Sequence, residues 1–126
     1  MKMIYYAHSK KIYDTPREKE EMTFIAQEFP DTAIINPNTD IGERGSIKPY
    51  LKAVADCDIV VCSEFAGHVG KGVYDEVFHG LGLDKEVHVL RKAGDKYFLK
   101  KVTGLDLADA YDWKVKYGKV VTENGK

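Results

Sequence analysis

Several classes of protein are excluded by what this chain of 126 residues has little of. Its two cysteines, Cys57 and Cys62, make no CxxC pair, so no disulfide framework is indicated; both read as packing thiols in a reducing compartment. No apolar run approaches the length of a membrane span. The opening Met1-Lys2-Met3-Ile4-Tyr5-Tyr6 is too short and too aromatic for a secretory leader. Neither sign of charge is in surplus: 19 basic and 20 acidic residues leave a net charge of −1. Neutralising a phosphate backbone needs a basic stripe, so a nucleic-acid polymer is not an expected partner. The runs Lys10-Lys11 and Lys100-Lys101 read as solvated faces. The four histidines, His8, His68, His79 and His88, show no HxH or HxxxH spacing, and no metal site or cofactor is expected. The expectation is a cytoplasmic protein without a membrane partner.

What is present is globular. Hydrophobic residues make up 44% and charged residues 31%, enough apolar material for one core, and residues 1–126 read as one domain. Ile4-Tyr5-Tyr6-Ala7 reads as a short buried strand. After the polar stretch His8 to Asp14, Thr15-Pro16-Arg17-Glu18 is a helix start: Thr15 caps, Pro16 has the preset φ of a first helical residue, and Glu18 completes a capping box. Met22, Ile25, Ala26 and Phe29 recur at helical spacing, and Pro30-Asp31 ends the helix. Thr32 to Asn36 is a second strand, Asn38 to Gly45 a loop, and a helix from near Ser46 has Ile47, Tyr50, Leu51, Val54 and Ala55 on one stripe.

Asp58-Ile59-Val60-Val61-Cys62 is the strongest strand signal, a continuous apolar run of the kind found where both faces of a parallel sheet are covered. A loop from Glu64 to Lys71 leads to a helix from about Gly72 to Leu83, and Val87 to Leu90 is a fourth parallel strand. Lys96 to Leu99 and Trp113 to Tyr117 look like strands, but residues 92–126 lose the β-α rhythm. The alternation predicts an α/β fold: a doubly wound, mostly parallel, flavodoxin- or Rossmann-like sheet with helices on both faces. Ile4–Ala7 and Asp58–Ser63 are expected as adjacent central strands. Ligands of such sheets bind beyond the carboxyl ends of the strands, which singles out the loops Ala7–Asp14, Asn36–Gly45 and Ser63–Lys71.

Chemistry concentrates where the third helix begins. Gly70 and Gly72 would let backbone approach a ligand closely, although Gly-x-Gly here lacks the rest of a dinucleotide or P-loop motif. Glu76 follows about one turn later, and helical side chains lean back towards the N-terminus, which aims its carboxylate at the crevice. The helix N-terminus is expected to favour its ionised form, as a carboxylate nucleophile requires. A plain helix-dipole role on a solvated face is the alternative reading. His8 and His68 lie on crevice loops, where they could bind phosphate or protonate a leaving base. Ordinary surface or partly buried histidine is the alternative for both.

Asp58-Ile59-Val60-Val61, followed by Gly72 and then Glu76, resembles the pattern of nucleoside 2-deoxyribosyltransferases and the related deoxynucleoside 5′-monophosphate N-glycosidases. The resemblance covers roughly residues 1 to 91. It implies a catalytic Glu76, a Tyr5 on the first strand that assists it, and Ser9 and Lys10 at positions that face a 5′-phosphate. Where transferases place acidic residues against the nucleobase, this chain has Gly70 and Tyr50; where the family often has small residues after its Glu, it has Phe78 and Gly80. The implied chemistry is cleavage or transfer of an N-glycosidic bond through a glycosyl ester on Glu76, with a nucleoside or nucleotide as the small-molecule partner. A nucleotide-binding or sensor module without turnover is the other reading, and a flavodoxin-like phosphate-binding module a third. A homodimer or higher homo-oligomer is expected, with the aromatic cluster Tyr111, Trp113 and Tyr117 as core or dimer surface.

Overall fold

A computed structural model of the chain describes residues 1–42, 45–63 and 71–102. The expected strand Trp113–Tyr117 and its aromatic neighbours lie outside these residues. Strands β1 (Lys2–Ala7), β2 (Thr32–Ile35), β3 (Ile59–Ser63), β4 (Glu86–Ala93) and β5 (Lys96–Val102) form one sheet in the order β2-β1-β3-β4-β5. The first four are mutually parallel and β5 returns antiparallel to β4. The fold class is α/β as the alternation predicts, and β1 and β3 are adjacent and central. Tyr5 pairs with Val60, and Tyr6 with Val61.

Strand alternation assigns each side chain to a face. Ile4, Tyr6, Ile59 and Val61 point to one side, where Ile25, Met22 and Phe24 of helix α1 (Pro16–Glu28) cover them. Tyr5, Ala7, Val60 and Cys62 point to the other, under Val54 of α3 (Lys48–Asp56) and Val73, Tyr74, Val77 and Leu81 of α4 (Lys71–Gly82). Cover on both faces is why β3 is apolar throughout. Asp58 works at the opposite end from the crevice: its carboxylate accepts the Met3 N–H at 2.9 Å and its own N–H donates to the Met3 carbonyl at 2.9 Å, which fixes the β1–β3 register.

Four local expectations need correction. The polar stretch after β1 contains a 3-10 turn, Lys10–Ile12, capped by Ser9, whose hydroxyl accepts the Lys11 N–H at 3.1 Å. The loop after β2 begins with a single-turn helix α2 (Pro37–Asp40), capped by Asn36. Ala26 is exposed, whereas Met22, Ile25 and Phe29 pack towards the sheet as expected, and Glu18 and Glu21 are buried beside them. Thr15 caps α1 as expected, but Glu18 does not close the capping box. The Thr15 N–H goes to the Ile12 carbonyl, and the Glu18 carboxylate takes the Asp14 N–H at 3.1 Å.

The seat of α4 on the sheet is set by Gly80. A Cβ there would lie 3.1 Å from Val60 Cγ2 and 3.5 Å from Val54 Cγ1, both fully buried side chains. Gly80→Val should therefore destabilise the protein by about 1–3 kcal/mol through overpacking, read as a lower midpoint in urea. A variant as stable as the wild type would show that α4 can lift off β3 without loss.

Candidate active site

The carboxyl ends of β1 and β3 open into a cleft of about 610 Å³, lined on one side by His8, Ser9, Lys10, Lys11 and Tyr13 and on the other by Ile47, Tyr50, Gly72, Val73 and Glu76. It lies where strand order reverses on either side of β1, the place such sheets reserve for ligands. Sequence reading missed Lys11 and Tyr13, which share the turn with Ser9 and Lys10. His68 and Gly70 lie outside the described residues.

Glu76 sits at the buried end. It is 7% exposed, and its Oε2 accepts a 2.7 Å hydrogen bond from the Tyr5 hydroxyl, a contact between residues 71 apart in sequence. This leaves Oε1 as the oxygen that can meet a ligand. Tyr5 is itself fully buried, and burial together with the neighbouring carboxylate pushes its hydroxyl well above the ordinary tyrosine range. Tyr5 is thus a fixed donor.

The helix-terminus expectation for Glu76 fails. Its pKa is pushed up from 4.5 to about 7, chiefly by burial; the Tyr5 hydrogen bond opposes the shift and the charge of Asp75 adds to it. The physical reason is position. Glu76 is the sixth residue of α4, past the first turn to which the dipole's influence is confined, and desolvation dominates.

His8 is placed differently from both of its suggested roles. It borders the cleft, but its side chain is fully buried. The ring stacks on Tyr6, with centroids 3.7 Å apart and planes 5° from parallel, and Tyr13 tilts against its other side. Nδ1 lies 2.9 Å from the Tyr6 carbonyl oxygen and Nε2 lies 2.7 Å from Glu18 Oε2. With both nitrogens turned to protein acceptors, the ring has no hydrogen to give a leaving base and no free edge for a phosphate. Ser9 is half-buried; Lys10 and Lys11 are exposed at the rim. Gly72 borders the cleft, and a Cβ there would meet nothing within 4 Å, so the space above its backbone is open to a ligand. Tyr50 presents its ring to the cleft and donates its hydroxyl to the Gly42 carbonyl.

No family model matches this chain, and no curated protein matches it in sequence. Among solved structures, it is similar to a 2-desoxiribosyltransferase from Leishmania mexicana, with a TM-score of 0.56 over 74% of this chain and 17% identity. The fold is nucleoside 2-deoxyribosyltransferase-like. The match spans 66% of that enzyme's chain, and at this identity it speaks for architecture alone. Among the described residues of this deoxyribosyltransferase-like fold, no group of three or more His, Cys, Asp or Glu could hold a metal ion, and no helix is long and apolar enough to cross a membrane.

The state of Glu76 has a measurable consequence without any substrate. In the unfolded chain its carboxyl titrates near 4.5 and in the folded protein near 7, so the native state binds the proton more tightly. The destabilisation is absent below pH 4.5, grows as pH rises and is complete above pH 7. Glu76→Gln removes the buried charge and keeps an acceptor for Tyr5. It should raise stability by about 1–3 kcal/mol at pH 8 and change it little at pH 5, by urea unfolding at both values. An equal change at the two pH values would contradict a raised pKa.

Proposed function

We propose that this protein cleaves the N-glycosidic bond of a deoxynucleoside or deoxynucleoside 5′-monophosphate, with Glu76 as the nucleophile. The observation that carries this reading is the buried Tyr5–Glu76 pair at the inner end of the cleft. A carboxylate that lines the cleft and takes a hydrogen bond from one neutral donor among the described residues is oriented but not neutralised. Oε1 attacks the sugar C1′ as the C1′–N bond breaks, and the bond electrons leave with the base, which takes a proton from solvent. Water, or the nitrogen of a second base, then displaces Glu76 from C1′ and restores the carboxylate. Two displacements retain the configuration at C1′.

The cleft's charge distribution supports a 5′-phosphorylated substrate. Lys10 and Lys11 stand at the rim with the Ser9 hydroxyl between them and the strand end, while Glu76 is the one carboxylate among the described residues of the lining. A phosphate on that rim would keep the substrate's negative charge away from Glu76. The aromatic and apolar residues Tyr13, Ile47, Tyr50 and Val73 offer a planar base surfaces to pack on rather than acidic hydrogen-bond partners. The similarity to a 2-desoxiribosyltransferase adds support at the level of fold.

The test is release of free base from deoxynucleosides and their monophosphates, with and without a second base as acceptor. Glu76→Gln should abolish release while binding persists, because an amide cannot form the ester. Tyr5→Phe should slow it about 10–100-fold, the loss of one hydrogen bond to a charged group. Because only ionised Glu76 attacks, kcat/KM in the free enzyme should fall about ten-fold per pH unit below pH 7 and level off above it. Equal activity in wild type and Glu76→Gln would refute the mechanism. Binding without base release in the wild type would assign the cleft to a nucleotide-binding module instead.

A further inference from the structure

Helix α1 lines no part of the cleft, yet it sends a carboxylate beneath the cleft wall. Glu18 is 8% exposed and collects three hydrogen-bond donors from three different segments. Its Oε2 faces His8 Nε2 at 2.7 Å, at the end of β1. Its Oε1 accepts the Asp14 N–H at 3.1 Å, and both oxygens lie 3.2 Å from Asn38 Nδ2, at the start of α2. Hydrogen bonds from His8, Asp14 and Asn38 outweigh the effect of burial and hold this carboxyl below the usual range. Glu18 is therefore an acceptor only.

The hydrogens on His8 follow from its partners. The Tyr6 carbonyl can only accept, so Nδ1 bears a hydrogen; the ionised Glu18 can only accept, so Nε2 bears one too. His8 and Glu18 thus pair in the interior at 2.7 Å, with Tyr6 stacked on the imidazole and Tyr13 tilted against it. Asp14 adds a further reason for the anchor. Its φ is 61°, a left-handed conformation uncommon for a residue with a side chain, and its N–H and its carboxylate are both engaged, the latter accepting from Asn38 Nδ2 at 3.0 Å. Untying Glu18 releases that turn.

We propose that Glu18 is a positioning residue of the cleft: it holds His8 with a hydrogen on each ring nitrogen and, through His8, Asp14 and Asn38, fixes two loops, one that forms a substrate-facing wall and one whose Gly42 carbonyl anchors Tyr50 of the opposite wall. The first loop is the turn from His8 to Tyr13, with Ser9, Lys10 and Lys11. The second follows β2 through α2 to Gly42, which Tyr50 holds by its hydroxyl. The consequence for substrate rests on the reading of the cleft given above; the state of His8 does not.

The experiment uses the full chain labelled with 15N at histidine, together with Glu18→Gln and Asn38→Ala. In the wild type, His8 should show an N–H at both ring positions. In Glu18→Gln the Nε2 signal should become that of a bare nitrogen, because the amide supplies a donor where the carboxylate supplied only an acceptor. With thymidine and deoxyguanosine 5′-monophosphates, Glu18→Gln should raise KM about ten-fold and leave kcat within about three-fold. Asn38→Ala, which unties the second loop alone, should raise KM less and leave both His8 signals in place. If the wild type releases no base, the dissociation constants of the same two nucleotides replace KM, and the function fails while the positioning role is still decided. A bare His8 nitrogen in the wild type would overturn the proposal, as would unchanged KM or nucleotide affinity in Glu18→Gln. Should Glu18→Gln not fold, the wild-type His8 signals and the Asn38→Ala affinities decide it, and an Asn38→Ala protein that binds as the wild type does would count against it.

Discussion

A tyrosine hydroxyl carried into a protein interior must find an acceptor, and β1 carries two. Tyr5 and Tyr6 are adjacent and both fully buried, and the pleat of the strand sends them to opposite faces of the sheet. Each meets a carboxylate from the helix on its own side: Tyr5 meets Glu76 of α4 at 2.7 Å, and Tyr6 meets Glu21 of α1 at 2.5 Å. These bonds fix how both helix layers stand relative to the central strand, at the end of the sheet where the cleft opens. An unpaired hydroxyl or carboxyl there would cost about 1–3 kcal/mol or more. The polar pairs therefore constrain where α1 and α4 can rest, as the apolar contacts do.

The two carboxylates differ in what surrounds them, and the difference separates support from chemistry. Glu21 accepts from Tyr6, from Arg17 Nε at 2.9 Å and from the Ser63 hydroxyl at 2.9 Å, so a guanidinium and two hydroxyls share its charge. It joins α1 to the ends of both β1 and β3. Among the described residues Glu76 has one neutral donor, and burial raises its pKa to about 7. A carboxylate saturated with donors is stable and inert; one with a single donor and an oxygen towards a cleft is costly to ionise and correspondingly reactive. The asymmetry would be lost if α4 had supplied a second donor.

Much of this was legible in the sequence because it rests on periodicity. The apolar runs at Ile4–Ala7 and Ile59–Ser63 could only be covered strands, and Thr15-Pro16 could only be a helix start. The nearness of Tyr5 and Glu76 was expected from the place of Glu76 near a helix start together with the family resemblance at Tyr5. What escaped was written in polar residues. Glu18 and Glu21 stand on the same stripe as Ile25, at helical spacing, and charged residues at inward positions were a visible signal of buried acceptors. Apolar counting passes over them. The return strand β5 was likewise signalled: Gly94-Asp95 makes a two-residue turn, with Gly94 at φ 65° and Ala93 paired with Lys96, the conformation such hairpins ask of their first residue. It broke the β-α rhythm because an antiparallel neighbour needs no crossover helix.

The position of Glu76 also shows why a helix start cannot be read as a charge site by proximity alone. The dipole acts on groups near the unpaired N–H groups of the first turn, whereas Glu76, one turn further on, is buried and bonded to Tyr5 of the core. At that depth the energy of ionisation is set by what has replaced water. Tyr5 supplies one hydrogen bond where solvent would supply several, and the proton is held up to about pH 7. A ligand that fills the cleft removes still more water, which raises the cost of the charge, unless it brings positive character close to Oε1. A sugar C1′ whose bond to nitrogen is breaking develops that character as the transition state forms. On the proposed reading, a site poor at holding a bare carboxylate in the ground state is suited to one that faces a developing cation, which is the differential stabilisation that catalysis requires.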